Sequence, residues 1–242
     1  LYDGSRVQLV LPPVATSPAL SIRRYVLNKV SLDDYAEQGM LENINALPEK
    51  ISQTQMLRQL YHDKQWLAFF KLALLSRKNI VISGGTSSGK TTFLNACIAQ
   101  IPQSQRLIFL EDTRELQSAH ENKLHLLSSK GGQTLAQVSM QDLLQCSLRL
   151  RPDRIICGEI RGKEISDFIA ACLTGHPGSM TTIHASSPKL AFMRMVQMYK
   201  LNNVPSMSDH DILTIISTAV DIVIQLNRNE NGRNVDQVFY KP

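Results

Sequence analysis

The sequence predicts an α/β fold, a mostly parallel sheet with helices on its faces. From about residue 77 onward, short β-rich runs alternate with helical stretches, the pattern of strand–helix–strand crossovers. One strand-to-helix junction carries a glycine-rich string from Gly84 to Thr91, and acidic residues close two further apolar runs. At 242 residues the chain exceeds a single domain of about 150, so one large domain with an appendage is expected.

The elements follow in order. Val7–Leu11, stopped by Pro12-Pro13, and Ala19–Val26, after Thr16-Ser17-Pro18, read as short strands. Two strands cannot enclose a core. Residues 1–30 are therefore expected to be the remnant of an amino-terminal domain whose beginning is absent, and the chain starts at Leu1 rather than methionine. Ser31 with Asp34 suits a capping box on a short helix closed by Gly39. A loop around Leu47-Pro48 leads into one long helix, Thr54–Ser76, whose Met56, Leu57, Leu60, Tyr61, Leu67, Phe70 and Leu74 recur at three- and four-residue steps. Residues 31–76 thus read as linker and leading helices, and 77–242 as the main domain.

Within that domain the expected strands are Asn79–Ser83, Arg106–Leu110, Leu124–Leu127, Arg154–Cys157, Met180–Ile183, Val220–Leu226 and Val235–Tyr240, the last two a hairpin across Asn231-Gly232. The expected helices are Lys90–Ile101, Met140–Leu150, Glu164–Leu173, 188–200 and 209–219. Hydrophobic residues at 43% and charged residues at 19% exclude wholesale disorder. The net charge of +5 is explained as well by solvated surface as by nucleic acid or an anionic membrane, so it selects no partner. No stretch approaches the ~18 uninterrupted apolar residues of a membrane span. Cys97, Cys146, Cys157 and Cys172 share no CxxC spacing and sit in apolar runs, so buried reduced thiols in a cytosolic protein are expected.

Gly84-Gly85-Thr86-Ser87-Ser88-Gly89-Lys90-Thr91 is a complete G-x-x-x-x-G-K-[ST] string between a strand and a helix. Its glycines let backbone N–H groups curl toward phosphate oxygens, and the helix that follows adds its positive end. Lys90 supplies a mobile charge for the β- and γ-phosphates, and the Thr91 hydroxyl is a Mg²⁺ ligand. The string predicts a nucleoside triphosphate site, with ATP as the default.

Hydrolysis also needs a carboxylate to orient water. Glu111-Asp112 closes Leu107–Leu110 and Glu159 closes Ile155–Gly158, both where ligands of parallel sheets gather. Glu159 ends a Walker B-like strand, but Gly158 occupies the usual aspartate position, so Glu159 would serve Mg²⁺ through water. Asp112 reads equally well as a cap on the next turn. His184, at the end of a strand, is a candidate for sensing the γ-phosphate or passing a hydrogen bond to the acids. Arg161, Arg6, Arg23 and Arg24 are possible cationic partners for a phosphoryl group, although a strand arginine more often stands as a solvated edge charge.

Taken together these strings resemble the secretion (traffic) ATPases of bacterial type II and type IV systems, closest to those of type IV secretion, conjugative transfer and tight-adherence pili. The similarity rests on Arg6 to Pro13, Ser21-Ile22-Arg23, Gly85 to Thr92, Glu111 to Leu116, Leu150 to Gly162, Thr174 to Ser179 and Thr181 to Ala185. The resemblance implies a RecA-like P-loop domain in a homo-hexameric ring, at the cytoplasmic face of the inner membrane as a peripheral component of a secretion, conjugation or pilus machine. It implies ATP and Mg²⁺ as cofactors and no requirement for nucleic acid. It makes Gly85, Thr86, Ser87, Ser88, Gly89, Lys90, Thr91 and Thr92 the nucleotide-binding loop, joined by Arg6 and Arg23 at the γ-phosphate. It makes Lys90, Glu111, Glu159 and His184 catalytic, with either Glu111 or Glu159 supplying the water-activating carboxylate, and it leaves Arg114 without a physical account. Two rivals stay open: a RecA-like nucleic-acid translocase, and a nucleotide-binding switch without turnover.

Overall fold

The computed structural model describes residues 1–24, 31–42, 50–129, 137–230 and 232–241. The loop expected at Leu47-Pro48 and Asn231 of the expected hairpin turn lie outside these residues. The elements are β1 (Arg6–Val10), β2 (Ala19–Arg23), α1 (Leu32–Glu37), α2 (Lys50–His62), α3 (Trp66–Leu75), β3 (Ile80–Gly84), α4 (Lys90–Ile98), β4 (Leu107–Glu111) and β5 (Lys123–Leu127). They continue as α5 (Met140–Ser147), β6 (Arg154–Cys157), α6 (Ile165–Leu173), β7 (Met180–Ile183), α7 (Pro188–Lys200), α8 (Asp209–Ala219), β8 (Ile222–Asn229) and β9 (Gly232–Tyr240).

Seven strands form one sheet in the order β5-β4-β6-β7-β3-β8-β9, parallel throughout except for β9, which returns antiparallel to β8. This is the α/β architecture the sequence pattern predicts. Strands β3, β4, β6 and β7 are buried along their whole length, as parallel strands between two helical layers must be. Alternation divides their side chains. Val81, Ile108, Leu110, Ile155 and Cys157 pack with α5 to α8 on one face. Ile80, Ile82, Leu107, Phe109 and Ile156 pack with α3 and α4 on the other. Fully buried Arg154 ties the base of this sheet together, donating to the Gln105 side chain at 2.6 Å and to the Leu74 carbonyl at 2.7 Å.

Four expectations need correction. The single helix over 54–76 is two helices, broken at Lys64, whose φ is +56°. The break folds α3 back so that Trp66 and Phe69 each meet Tyr61 at 5.6 Å, a closure that helical periodicity alone does not reveal. Helices α4 and α5 stop at Ile98 and Ser147, each short of the expected end, and β8 and β9 are longer than predicted, with an irregularity at Gln225/Leu226. Cys146 is half-buried, while Cys97, Cys157 and Cys172 are buried, and burial pushes the Cys97 thiol up to about 12.

Strands β1 and β2 form their own antiparallel ribbon, with Arg6 opposite Arg23. The chain after β1 is anchored to the large sheet: Ala15 bridges Leu126, the Leu127 N–H donates to the Val14 carbonyl at 2.7 Å, and Val10 and Ala15 join the main core.

Candidate nucleotide site

The site forms where the carboxyl ends of β6, β7 and β3 lie side by side. A cavity of about 320 Å³ opens there, lined by Thr86 to Thr92 together with Glu115, Glu159, Thr182, His184 and Arg233. Parallel strands gather their following loops at one edge, which is why residues far apart in sequence meet here.

The loop between β3 and α4 is shaped by two glycines. At Gly89 the backbone turns left-handed, φ +92°, immediately before the first helical residue. A Cβ on Gly84 would lie 2.3 Å from Ser88 Oγ and 2.9 Å from the Leu226 carbonyl oxygen, so no side chain fits there. The buried Lys90 ammonium donates to the carbonyl oxygens of Gly84 at 3.0 Å and Gly85 at 2.8 Å. Burial lowers its pKa, with Glu159 opposing the shift. The loop thus holds its own lysine, and the amino-terminal end of α4 at Gly89–Lys90 lines a site suited to an anion.

Glu159 is 15% exposed and sits among cations. One oxygen accepts from Arg161 at 2.8 Å and the other lies 3.2 Å from His184 Nε2. Arg161 also reaches Asp112 at 2.7 Å, so the two acidic boxes share one guanidinium. Burial alone would raise the Glu159 pKa. The Arg161 hydrogen bond and charge, then His184 and Lys90, outweigh it and hold the carboxyl below its usual range. A carboxylate held ionised in this way accepts hydrogen bonds well and is suited to orienting water. Thr182 Oγ1 donates to the Gly158 carbonyl at 2.7 Å, which fixes the turn carrying Glu159.

Glu111 is placed differently. It is 2% exposed and does not line the cavity. One oxygen accepts the N–H groups of Glu115 (2.8 Å) and Leu116 (2.7 Å), and the other lies 3.2 Å from His125 Nδ1. A Cβ on Gly158 would sit 3.5 Å from Glu111 Cγ. That is an ordinary van der Waals distance, so a Cβ fits at 158, and an aspartate there would place a second carboxyl near that of Glu111. Arg6 and Arg23 line a separate cavity that shares no residue with the phosphate-loop cavity. Arg114 is exposed, and nothing in the structure explains it.

Two charged lining residues escaped the sequence reading. Glu115 Oε2 accepts the Thr91 hydroxyl at 3.0 Å, because the Glu111-bound turn bends back toward α4. Its only sequence signal is its place in the acidic box. Arg233, at the start of β9, donates to the Ser87 carbonyl at 3.1 Å, and no local pattern announces it. Beyond Arg233 a smaller, apolar cavity is lined by Phe93, Ala96, Leu226 and Val235, and it shares Ser88, Gly89, Thr92 and Arg233 with the first.

With this geometry in hand, comparisons with known proteins are direct. A family model described as "Type II/IV secretion system protein" matches residues 3–238. The type IV secretion system protein VirB11 of Bartonella henselae is 36% identical over 257 residues, covering 100% of this chain and 72% of that protein. The conjugal transfer protein TrbB of Rhizobium radiobacter is 36% identical, covering 98% of this chain and 64% of that protein. The crystal structure of the VirB11 ATPase from the Brucella suis type IV secretion system, in complex with sulphate, superposes with a TM-score of 0.90 at 32% identity, covering 100% of this chain and 75% of that one.

Proposed function

Because the chain belongs to the type II/IV secretion system protein family, we propose that it hydrolyses ATP to drive a bacterial secretion, conjugation or pilus machine. The observation that carries the reading is the meeting of Lys90, Thr91, Glu159 and His184 at one cavity on the carboxyl edge of the sheet. In this reading the phosphate chain displaces Lys90 from the Gly84 and Gly85 carbonyls and is held by the loop N–H groups. The apolar cavity beside Phe93 and Val235 receives the base, and Arg233 stands between base and phosphates.

The Thr91 hydroxyl and the Glu115 and Glu159 carboxylates supply the oxygen donors that a hard divalent cation takes. Mg²⁺, held by Thr91 and through water by Glu159, would neutralise charge on the phosphates. Glu159 orients the attacking water, and His184 steadies Glu159 and reports on the γ-phosphate. Glu111 acts through the 112–116 turn. The reading includes a ring of six copies at the cytoplasmic face of the inner membrane, without a requirement for nucleic acid, and family membership is what supports it. Among the described residues no helix is long and apolar enough to cross a membrane. Arg6 and Arg23, lying at a separate cavity, would serve a neighbouring copy's γ-phosphate.

Phosphate release from ATP is the test. Turnover by the wild-type chain that disappears with Lys90→Ala supports the reading. Release unaffected by Lys90→Ala, or none under any condition of assembly, overturns it.

A further inference from the structure

Strand β8 is apolar and buried from Ile222 to Leu226 except at one position, Gln225, which is itself only 3% exposed. Its amide reaches past its register partner Ser83 on the neighbouring strand β3 to the segment that leaves β7. Gln225 Nε2 donates to the Ala185 carbonyl at 3.2 Å and to the Leu226 carbonyl at 3.1 Å. Among the described residues the amide oxygen, Oε1, has no hydrogen-bond partner. Buried Ser83 Oγ donates to the same Ala185 carbonyl at 3.4 Å. A methionine at 225 would have the same reach and leave no orphaned acceptor, whose desolvation works against folding. The register of β8 with β9 also slips between Gln225 and Leu226, and such irregularities re-aim side chains beside functional sites. A half-satisfied amide inside the sheet calls for a use.

The carbonyl that Gln225 holds belongs to the residue following His184. His184 is 46% exposed, so packing alone does not fix it, yet its Nε2 lies 3.2 Å from Glu159 Oε1. The other side of that contact is anchored as well, since Thr182 Oγ1 holds the Gly158 carbonyl. We propose that Gln225 is a positioning residue: by gripping Ala185 it fixes the segment after β7 and so keeps His184 facing Glu159. Gln225 lines neither the phosphate-loop cavity nor the apolar cavity beside it, so it acts through His184 and not on the nucleotide. The placement stands on the geometry. Its use in hydrolysis rests on the reading proposed above.

The test replaces Gln225 with methionine, which keeps the length of the side chain and removes both ends of the amide. The first readout is the His184 imidazole by NMR in the nucleotide-free full chain, with and without Glu159→Gln. In the parent, Glu159→Gln shifts the His184 ring signals. In Gln225→Met that shift should shrink at least ~2-fold, because the ring no longer faces the carboxylate. The second readout is ATP turnover, where Gln225→Met should lower kcat by about 10-fold with KM within about threefold of the parent. Once His184 is replaced by alanine, adding Gln225→Met should lower kcat by less than ~2-fold more. A glutamine that served stability alone would leave the His184 response intact and would act equally with and without His184. Should Gln225→Met fail to fold, Ser83→Ala removes the other donor to Ala185 and should give the same changes at smaller size. An unchanged His184 response there overturns the proposal too. For Gln225→Met, the proposal is overturned by a His184 response equal to the parent's, by an undiminished kcat, or by the same fall in kcat with and without His184. A weakened His184 response in a chain that releases no phosphate would sink the ATPase reading and leave the placement standing.

Discussion

Strands β4 and β6 are neighbours in the sheet, paired in register from Leu107↔Arg154 to Leu110↔Cys157, and each ends in an acid. The two acids have opposite fates. Glu111 falls level with Gly158, turns inward and spends its oxygens on two backbone N–H groups and His125. Glu159 lies one residue further along, emerges beside Lys90 and is held by Arg161 and His184. Successive residues of an extended chain face opposite ways, so an offset of one turns one carboxylate into the interior and leaves the other at the cavity. Burial at a strand end does not by itself make an acid catalytic.

Several substitutions can break or sharpen that contrast. The largest effect on stability is expected at Glu111. Glu111→Ala leaves two backbone donors without their acceptor and opens space beside Gly158, a loss of about 3 kcal/mol by chemical denaturation. Glu159→Ala should cost less than about 1 kcal/mol, since its Arg161 partner is half-exposed. Equal losses at the two positions would erase the distinction. Next, Gly158→Asp restores the usual Walker B aspartate and brings a second carboxylate near Glu111, so like-charge repulsion should destabilise by about 1 kcal/mol without raising turnover. A more active or equally stable Gly158→Asp protein contradicts the repulsion between the two carboxylates.

A pH profile gives a finer test. The folded pKa of Glu159 is depressed. Its ionised form is fully present above the ordinary glutamate value and is lost only as pH falls through the lowered one. The acidic limb of the turnover profile should therefore lie below the ordinary glutamate range, and Arg161→Gln should move it upward. A limb unmoved by Arg161→Gln would show that another group titrates there. The smallest effect concerns Glu115→Gln, whose bond to Thr91 is exposed. Stability should change by no more than about 0.5 kcal/mol, with turnover falling less than for Glu159→Gln.

The alternation of apolar runs and helical periods made the sheet legible, and β6 and β7 were predicted to the residue. Local chemistry also revealed the phosphate loop, because its glycines, lysine and threonine are contiguous. What stayed hidden depends on contacts between distant segments. Periodicity continues across Lys64, so only the packing of Trp66 and Phe69 on Tyr61 exposes the break between α2 and α3. Glu115 reaches Thr91 through a turn held by Glu111, and Arg233 reaches Ser87 across 146 residues. The two candidate glutamates looked equivalent in sequence because strand register, which decides which way each one faces, is a property of the pairing and not of either run alone. The arginines of β1 and β2 were legible as a pair, but their gathering with Arg149 and Arg151 was not.

The division of labour between the two strand-end acids is tested most directly by measuring ATP binding and ATP turnover on the same Glu159→Gln protein. Binding should stay within about threefold of wild type, because the loop and Lys90 are untouched, while turnover should fall by about 100-fold or more. A Glu159→Gln protein that hydrolyses ATP at the wild-type rate would contradict the account.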